Sequence, residues 1–144
     1  MAGLLEIDFI FFDIGGTLGE RDPASERLVP FPSSTRLLDS MRREVGLRIG
    51  VITTLGPTLT NADGLALLRE ARLDGFIDPN GFISDHDAGV AKPHAEIYRL
   101  AAQRAGVPIE RCLFVGENLI EVLGAIAAGM KAVLKPSPPG RELG

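Results

Sequence analysis

Residues 7–17 read IDFIFFDIGGT, an apolar run that ends in an aspartate and a glycine-rich turn. After Asp8 every position of the run is apolar, as in strands that are buried on both faces of a parallel sheet. The two glycines that follow Asp13 favour a tight turn directly after the strand. We therefore predict a central β-strand with the Asp13 carboxylate at its carboxyl end.

Further apolar runs alternate with amphipathic stretches along the chain, which is the pattern of βαβ units. The other predicted strands are residues 47–52, 81–84, 112–115 and 131–134. The first predicted helix runs from Ser33 or Ser34 to about Glu44, with Leu37, Leu38 and Met41 facing inward. The second begins at Asn61 or Asp63 and continues through Arg72. The third runs from Pro93 to Gly106, and the fourth from Leu119 to Ala128. The sequence predicts an α/β fold: a Rossmann-like three-layer α/β/α sandwich around a five-stranded, mostly parallel sheet.

The chain has 144 residues, of which 45% are hydrophobic and 24% are charged, a balance that suits one globular domain. We predict a single α/β domain over residues 1–135. Residues 136–144 begin with PSPPG, which continues neither helix nor sheet, so we predict a flexible C-terminal tail.

The formal net charge of −4 disfavours nucleic acid and anionic membranes as partners. No apolar run is long enough to span a membrane, and the N-terminus lacks the features of a signal peptide. Cys112 is the single cysteine and lies in an apolar run, where we expect an inert core residue. These features predict a cytoplasmic protein.

Polar side chains stand at the ends of the predicted strands. Asp13 follows the first strand, Thr53 and Thr54 follow the second, and Glu117 follows the fourth. Lys92 lies in the loop that leaves the third strand. Because ligands bind beyond the carboxyl ends of parallel strands where the strand order reverses, these side chains predict a phosphate site.

The same segments resemble the four motifs of the haloacid dehalogenase-like superfamily, in order. Residues 11–18, FFDIGGTL, resemble the first motif, an apolar strand followed by Asp-x-Asp-Gly-Thr-Leu, and residues 49–53, IGVIT, are similar to the second. Residues 89–98, GVAKPHAEIY, resemble the third motif, and residues 114–130, FVGENLIEVLGAIAAGM, resemble the fourth. The resemblance extends over residues 7 to about 134 and implies a magnesium-dependent phosphohydrolase.

The resemblance also assigns roles. Asp13 is expected to attack phosphorus and form an aspartyl-phosphate. Thr53, with Thr54 beside it, is expected to donate hydrogen bonds to the phosphoryl oxygens. Lys92 is expected to hold the nucleophile and neutralise the phosphate.

The expected cofactor is Mg²⁺, held by Asp13, the backbone carbonyl of Gly15 and Glu117, with Glu121 as a further acidic residue. Mg²⁺ takes oxygen ligands and keeps several waters, so this set is sufficient. Glu117 and Glu121 each replace an aspartate of the family's pattern.

Gly15 stands where the superfamily has its second aspartate, the general acid and base. Such assistance is worth about 10²–10⁴ in rate, so its loss threatens turnover. Candidate substitutes for the missing acid are Glu20, Asp22, His86 and His94.

The intervals 18–48 and 54–91, where the superfamily often inserts a cap, each have room for one helix and its loops. We therefore predict no cap domain and an open site, which suits a macromolecular phosphorylated substrate or a small one covered by a second copy of the chain. The absence of an apolar cap pocket disfavours dehalogenation. Two functions stay open: a slow phosphatase, and a phosphate- and metal-binding or regulatory domain with impaired catalysis.

Overall fold

A computed structural model describes residues 6–136 of the chain. The main strands are β1 (Phe9–Phe12), β4 (Arg48–Thr53), β5 (Phe82–Ser84), β6 (Cys112–Gly116) and β7 (Lys131–Leu134), and a separate hairpin is formed by β2 (Gly19–Arg21) and β3 (Leu28–Pro30). The main sheet has the order β5-β4-β1-β6-β7 and every neighbouring pair in it is parallel. β1 is central, as its apolar sequence predicts.

The side chains of β1 alternate between two hydrophobic clusters, one on each face of the sheet. Phe9 and Phe11 belong to the cluster covered by α4 (Ala95–Ala105) and α5 (Leu119–Ala128). Ile10 and Phe12 belong to the opposite cluster, which includes Leu38 of α1 (Ser34–Ser40) and Leu68 of α2 (Asn61–Glu70). A short helix, α3 (Asp85–Ala88), follows β5 directly. The predicted three-layer sandwich is confirmed.

The first predicted helix differs from expectation in its start and in its buried face. The Ser33 side chain makes no capping hydrogen bond, and the Ser34 hydroxyl donates to the carbonyl of Leu18 at 2.7 Å. Leu38 is fully buried, but Leu37 is 43% exposed, so the prediction that it faces the core is wrong. Ser34 and Leu38, four residues apart, are the buried positions of this helix, and Leu37 lies about 100° around the helix from Leu38. The helix continues as a π-helical turn over Met41–Val45.

The start of α4 also differs from the prediction, whereas α2 starts at one of its two predicted residues. Pro93 lies before α4, which begins at Ala95, because the chain from Lys92 to His94 forms a turn. Helix α2 begins at Asn61, and Thr60 caps it with Asp63 completing a reciprocal capping box.

The interval between β1 and β4 contains the β2–β3 hairpin as well as α1, so the expectation of a single helix there is wrong. Within the described residues neither interval contains a cap-sized insertion. The division into a domain over 1–135 and a tail over 136–144 stays a prediction, and residues 137–144 lie outside the described part. Across residues 6–136 no helix is both long and apolar enough to cross a membrane.

Candidate active site

The site lies beyond the carboxyl edge of the sheet, where the strand order reverses. The chain adds β4 and β5 on one side of β1 and then places β6 and β7 on the other. Asp13 follows β1, and its backbone N–H donates to the carbonyl of Val115 in β6 at 3.0 Å. The pairing of β1 with β6 therefore fixes where the Asp13 side chain leaves the sheet.

Lys92 joins two of the predicted acidic residues. Its Nζ lies 2.6 Å from Oδ1 of Asp13 and 2.9 Å from Oε1 of Glu121. The Lys92 side chain is 1% exposed, and its ammonium also lies 5.5 Å from the centre of the Phe114 ring. A buried ammonium needs such partners, because its desolvation is otherwise unfavourable. Asp13, Lys92 and Glu121 thus form one ionic cluster.

A glycine in α5 allows this cluster to form. A Cβ added to Gly124 would lie 2.6 Å from the carbonyl oxygen of Pro93, the residue after Lys92. Only a residue without a side chain lets the Lys92–Pro93 turn approach the helix that carries Glu121.

Tyr98 is a neighbour of the cluster to which the sequence assigned no role. Its hydroxyl donates to the backbone carbonyl of Glu121 at 2.6 Å, and the side chain is fully buried. Burial raises the pKa of Tyr98 well above its ordinary value, and the negative charges of Glu121 and Asp13 act in the same direction. Tyr98 is therefore a neutral donor that fixes the first turn of α5. Its place in the third motif, five residues after Pro93, was the available signal.

Thr53 and Thr54 stand at the end of β4, where Thr53 is buried and Thr54 is exposed. Asp85 holds the loop that follows: its carboxylate accepts from the backbone N–H groups of Leu55, at 2.8 Å, and Gly56, at 3.1 Å. Burial opposes the charge, but these hydrogen bonds prevail and keep the pKa of Asp85 below its ordinary value. Asp85 was not recognised in the sequence, since its partners lie about thirty residues away.

A small cavity of about 160 Å³ adjoins the site on the side of Gly15 and Thr53. Its apolar walls are Ile14, Leu28, Leu55, Leu59 and Leu67. Thr54 and the hairpin residue Arg21 also line it. The cavity therefore combines a hydroxyl-bearing edge, apolar walls and one guanidinium.

None of the four candidate substitutes for the missing acid lines this cavity in the part of the chain that the structure describes. Asp22 accepts hydrogen bonds from Ser25 within the hairpin. His86 is exposed, and its Nε2 lies 2.9 Å from the carbonyls of both Gly56 and Leu59. His94 is an exposed residue at the start of α4.

Glu117 follows β6 and has a cation nearby that the sequence did not suggest. Burial lowers the pKa of Lys135, and the charge of Glu117 opposes that shift, so the two side chains are close enough to interact. The Lys135 ammonium donates to the carbonyl of Thr17 in the turn after β1. The Glu117 edge of the site is thereby connected to the Asp13 turn.

A Mg²⁺ ion suits the donors on this edge, since carboxylates and a peptide carbonyl are hard oxygen ligands. Among residues 6–136 no group of three or more His, Cys, Asp or Glu side chains could hold a metal. A magnesium site here would thus depend on Asp13, Glu117, the Gly15 carbonyl and water. Glu121 contacts Lys92, and its role as a metal ligand stays a prediction.

Fold and site together define a Rossmann-like α/β protein with a lysine-paired aspartate beyond its central strand. Residues 20–129 match the family described as haloacid dehalogenase-like hydrolase. The chain belongs to the haloacid dehalogenase-like hydrolase family. Asp13 lies just before the matched range, whereas Thr53, Lys92 and Glu117 lie within it.

Curated relatives and a solved structure agree with this assignment. The chain is 35% identical over 104 residues to phosphatase MT3486 of Mycobacterium tuberculosis, covering 72% of this chain and 45% of that protein. It is 34% identical to the glyceraldehyde 3-phosphate phosphatase of Pyrococcus abyssi, covering 71% and 40%. The L-2-haloacid dehalogenase of Xanthobacter autotrophicus has the same fold, with a TM-score of 0.73 at 19% identity over 89% of this chain and 77% of that one. The chain spans less than half the length of these two curated relatives.

Proposed function

We propose that the protein is a phosphatase that works through an aspartyl-phosphate on Asp13. The observation that carries the proposal is the contact of 2.6 Å between Asp13 and the buried ammonium of Lys92. A carboxylate nucleophile and a phosphate dianion repel each other, so a cation fixed beside the nucleophile is what the attack requires. The two relatives named as phosphatases support the same reaction class.

The reaction divides into two displacements at phosphorus. An Asp13 oxygen bonds to phosphorus while the bond to the leaving-group oxygen breaks, and that oxygen keeps the electron pair. Thr53 and Thr54 donate to the phosphoryl oxygens, and Lys92 balances the charge. Water then attacks the phosphorus of the aspartyl-phosphate, which releases inorganic phosphate and regenerates the carboxylate.

We further propose that the enzyme depends on Mg²⁺, which would supply electrostatic stabilisation of the phosphoryl oxygens. Asp13, the Gly15 carbonyl and Glu117 would hold it. The donor chemistry supports this set, because Mg²⁺ keeps several waters and needs few protein ligands.

The test is a panel of phosphorylated compounds assayed with and without Mg²⁺, with Asp13→Asn as the blank. We expect turnover that requires both the metal and Asp13. A calorimetric titration with Mg²⁺ should show weaker binding to Asp13→Asn than to the wild type. Equal metal binding by the two proteins would contradict the assigned ligands.

Gly15 favours a second function, a domain that binds phosphate and metal but turns over little. The position has no side chain to protonate a leaving group. Saturable, Asp13-dependent binding of inorganic phosphate without turnover of any compound in the panel would support this function and contradict the phosphatase.

We also propose that a second copy of the chain covers the open site. The outer face of α5 carries four half-exposed apolar side chains: Leu119, Ile120, Leu123 and Ile126. Glu121 is the single charged residue of this helix and contacts Lys92, so the outer face is uncharged. An uncharged apolar stripe of this kind complements another copy of itself.

A further inference from the structure

We propose that Arg21 stabilises the negative charge on the departing leaving group, and that the substrates are aryl and acyl phosphates rather than alkyl phosphates. The inference rests on the proposed phosphatase function and names its substrate class. It follows from the cavity beside Gly15, which Arg21 lines and which no acidic residue among residues 6–136 lines.

The cavity lies where a leaving group would be. Thr53, which is proposed to hold the phosphoryl oxygens, and Gly15, which occupies the position of the missing acid, both line it. Gly15 is exposed, and nothing lies within 4 Å of a Cβ built on it, so the space for a leaving group is open. A volume of about 160 Å³ suits one aromatic ring, since a dry cavity of about 150 Å³ binds benzene.

Arg21 is held at this cavity by the turn that carries the nucleophile. The backbone N–H of Gly16 donates to the carbonyl of Gly19 at 2.8 Å, where strand β2 begins. A Cβ on Gly19 would lie 2.8 Å from Cα of Pro30, so the two hairpin strands are tightly apposed at this point. The position of Arg21, two residues later, is therefore fixed relative to Asp13.

The Arg21 side chain is also oriented. Its Nε donates to the backbone carbonyl of Glu26 at 3.0 Å, and its Nη2 lies 3.3 Å from a carboxylate oxygen of the same residue. The side chain is still 41% exposed, so it has room to contact a bound molecule. A guanidinium offers five N–H donors, and the contacts with Glu26 use two of them.

The chemistry of a guanidinium selects the leaving group. It is a permanent cation, so it stabilises an anion instead of giving up a proton. With no acid at position 15, the leaving-group oxygen departs with its electron pair and stays unprotonated in the site. Phenolates and carboxylates tolerate that charge, whereas an alkoxide does not. The apolar walls of the cavity strengthen the attraction between Arg21 and the departing anion.

The test is the dependence of kcat/KM on leaving-group acidity, measured with Mg²⁺ on substituted phenyl phosphates, acetyl phosphate and an alkyl phosphate. The wild type should turn over acetyl and phenyl phosphates faster than the alkyl phosphate. Arg21→Gln should show a steeper dependence, with a loss about 10-fold larger for the least acidic phenol than for nitrophenol, because a poorer leaving group develops more charge. Arg21→Lys, which keeps the charge, should lie between them.

Arg27→Gln is the matched control, since Arg27 is an exposed arginine of the same hairpin connection that does not line the cavity. It should match the wild type on every compound, and melting curves should show that all variants fold. If Arg21→Gln lowers kcat/KM by the same factor for every leaving group while turnover still depends on Asp13, the role of Arg21 is overturned but the phosphatase function is not. A wild type that prefers the alkyl phosphate would overturn the substrate class. No Asp13-dependent turnover of any compound would overturn the phosphatase and this inference together.

Discussion

Gly15 and Gly16 share one turn but differ in what the backbone demands of them. Gly16 has a φ of 79°, in the left-handed region that favours glycine, whereas Gly15 is not among the residues with positive φ. Nothing lies within 4 Å of a Cβ placed on Gly15. Glycine at position 15 is therefore not required by the fold, and its effect is chemical.

Gly15→Asp is expected to fold normally and to raise kcat/KM for an alkyl phosphate by about 10²-fold, because it restores a general acid beside the leaving group. The gain should be smaller for an aryl phosphate, whose leaving group needs less protonation. Melting temperature and steady-state kinetics measure both effects. Gly16→Asp is the control, because the same charge at a strained φ should lower the melting temperature. A folded Gly15→Asp with Mg²⁺ bound and no gain on any alkyl phosphate would indicate a binding pocket instead of a phosphatase.

Lys92→Met tests the ionic cluster. The variant leaves the carboxylates of Asp13 and Glu121 side by side without their ammonium, so we expect a loss of about 3 kcal/mol in the free energy of unfolding at neutral pH. Urea denaturation provides the measurement. Lys131→Met makes the same change at an exposed lysine and should stay within about 0.5 kcal/mol of the wild type. Similar losses in both variants would show that Lys92 is an ordinary surface lysine.

At the scale of elements, the short helix α3 holds the loop that joins β4 to α2. Asp85 binds the backbone N–H groups of Leu55 and Gly56, and His86 contacts two backbone carbonyls of the same loop. The loop begins directly after Thr53 and Thr54, so α3 determines the position of the edge that is proposed to bind phosphate.

Asp85→Asn should therefore destabilise the protein in a pH-dependent way. The pKa of Asp85 is lowered in the folded protein, so its contribution is complete above the unfolded value near 3.8 and is lost as the pH falls through the folded value. We expect a loss of about 1 kcal/mol at pH 7 that becomes smaller below pH 4. Urea denaturation at several pH values checks this, with Asp74→Asn, at an exposed residue, as the control. A loss that is the same at pH 3 and pH 7 would contradict the role of the Asp85 charge.

At the scale of the whole molecule, the two faces of the sheet are covered by helices but the outer side of α5 is not covered by any described residue. Leu134 of the edge strand β7, on the same face of the sheet as Ala132, is also about half exposed. On the outer face of α5, Leu119 and Ile120 lie in the first turn of the helix, which begins two residues after Glu117. Association through this face would bring a second copy next to the proposed catalytic edge.

Ile120→Glu should convert an associated protein into a monomer, because a carboxylate in an apolar interface is left without solvent or partner. Light scattering at micromolar concentrations measures the change in mass. Val45→Glu is a close control, since Val45 is 67% exposed and Ile120 is 66% exposed, but Val45 lies at the end of the first helix. A wild type that is monomeric throughout the concentration range, with its site open to solvent, would contradict the proposed second copy.

The sequence by itself determined the strands of the sheet, the central position of β1 and the placement of Asp13, Thr53 and Glu117 at strand ends. These features depend on local periodicity and on the rule that parallel strands end at one edge. Only the tertiary structure decided that Lys92 lies between Asp13 and Glu121, because the first of these contacts spans 79 residues. Packing between elements likewise decided three further features: the hairpin that carries Arg21, the hydrogen bonds of Asp85 to the loop after β4, and the exposure of Leu37. Such contacts depend on loop paths and helical phase, which short-range sequence patterns do not encode.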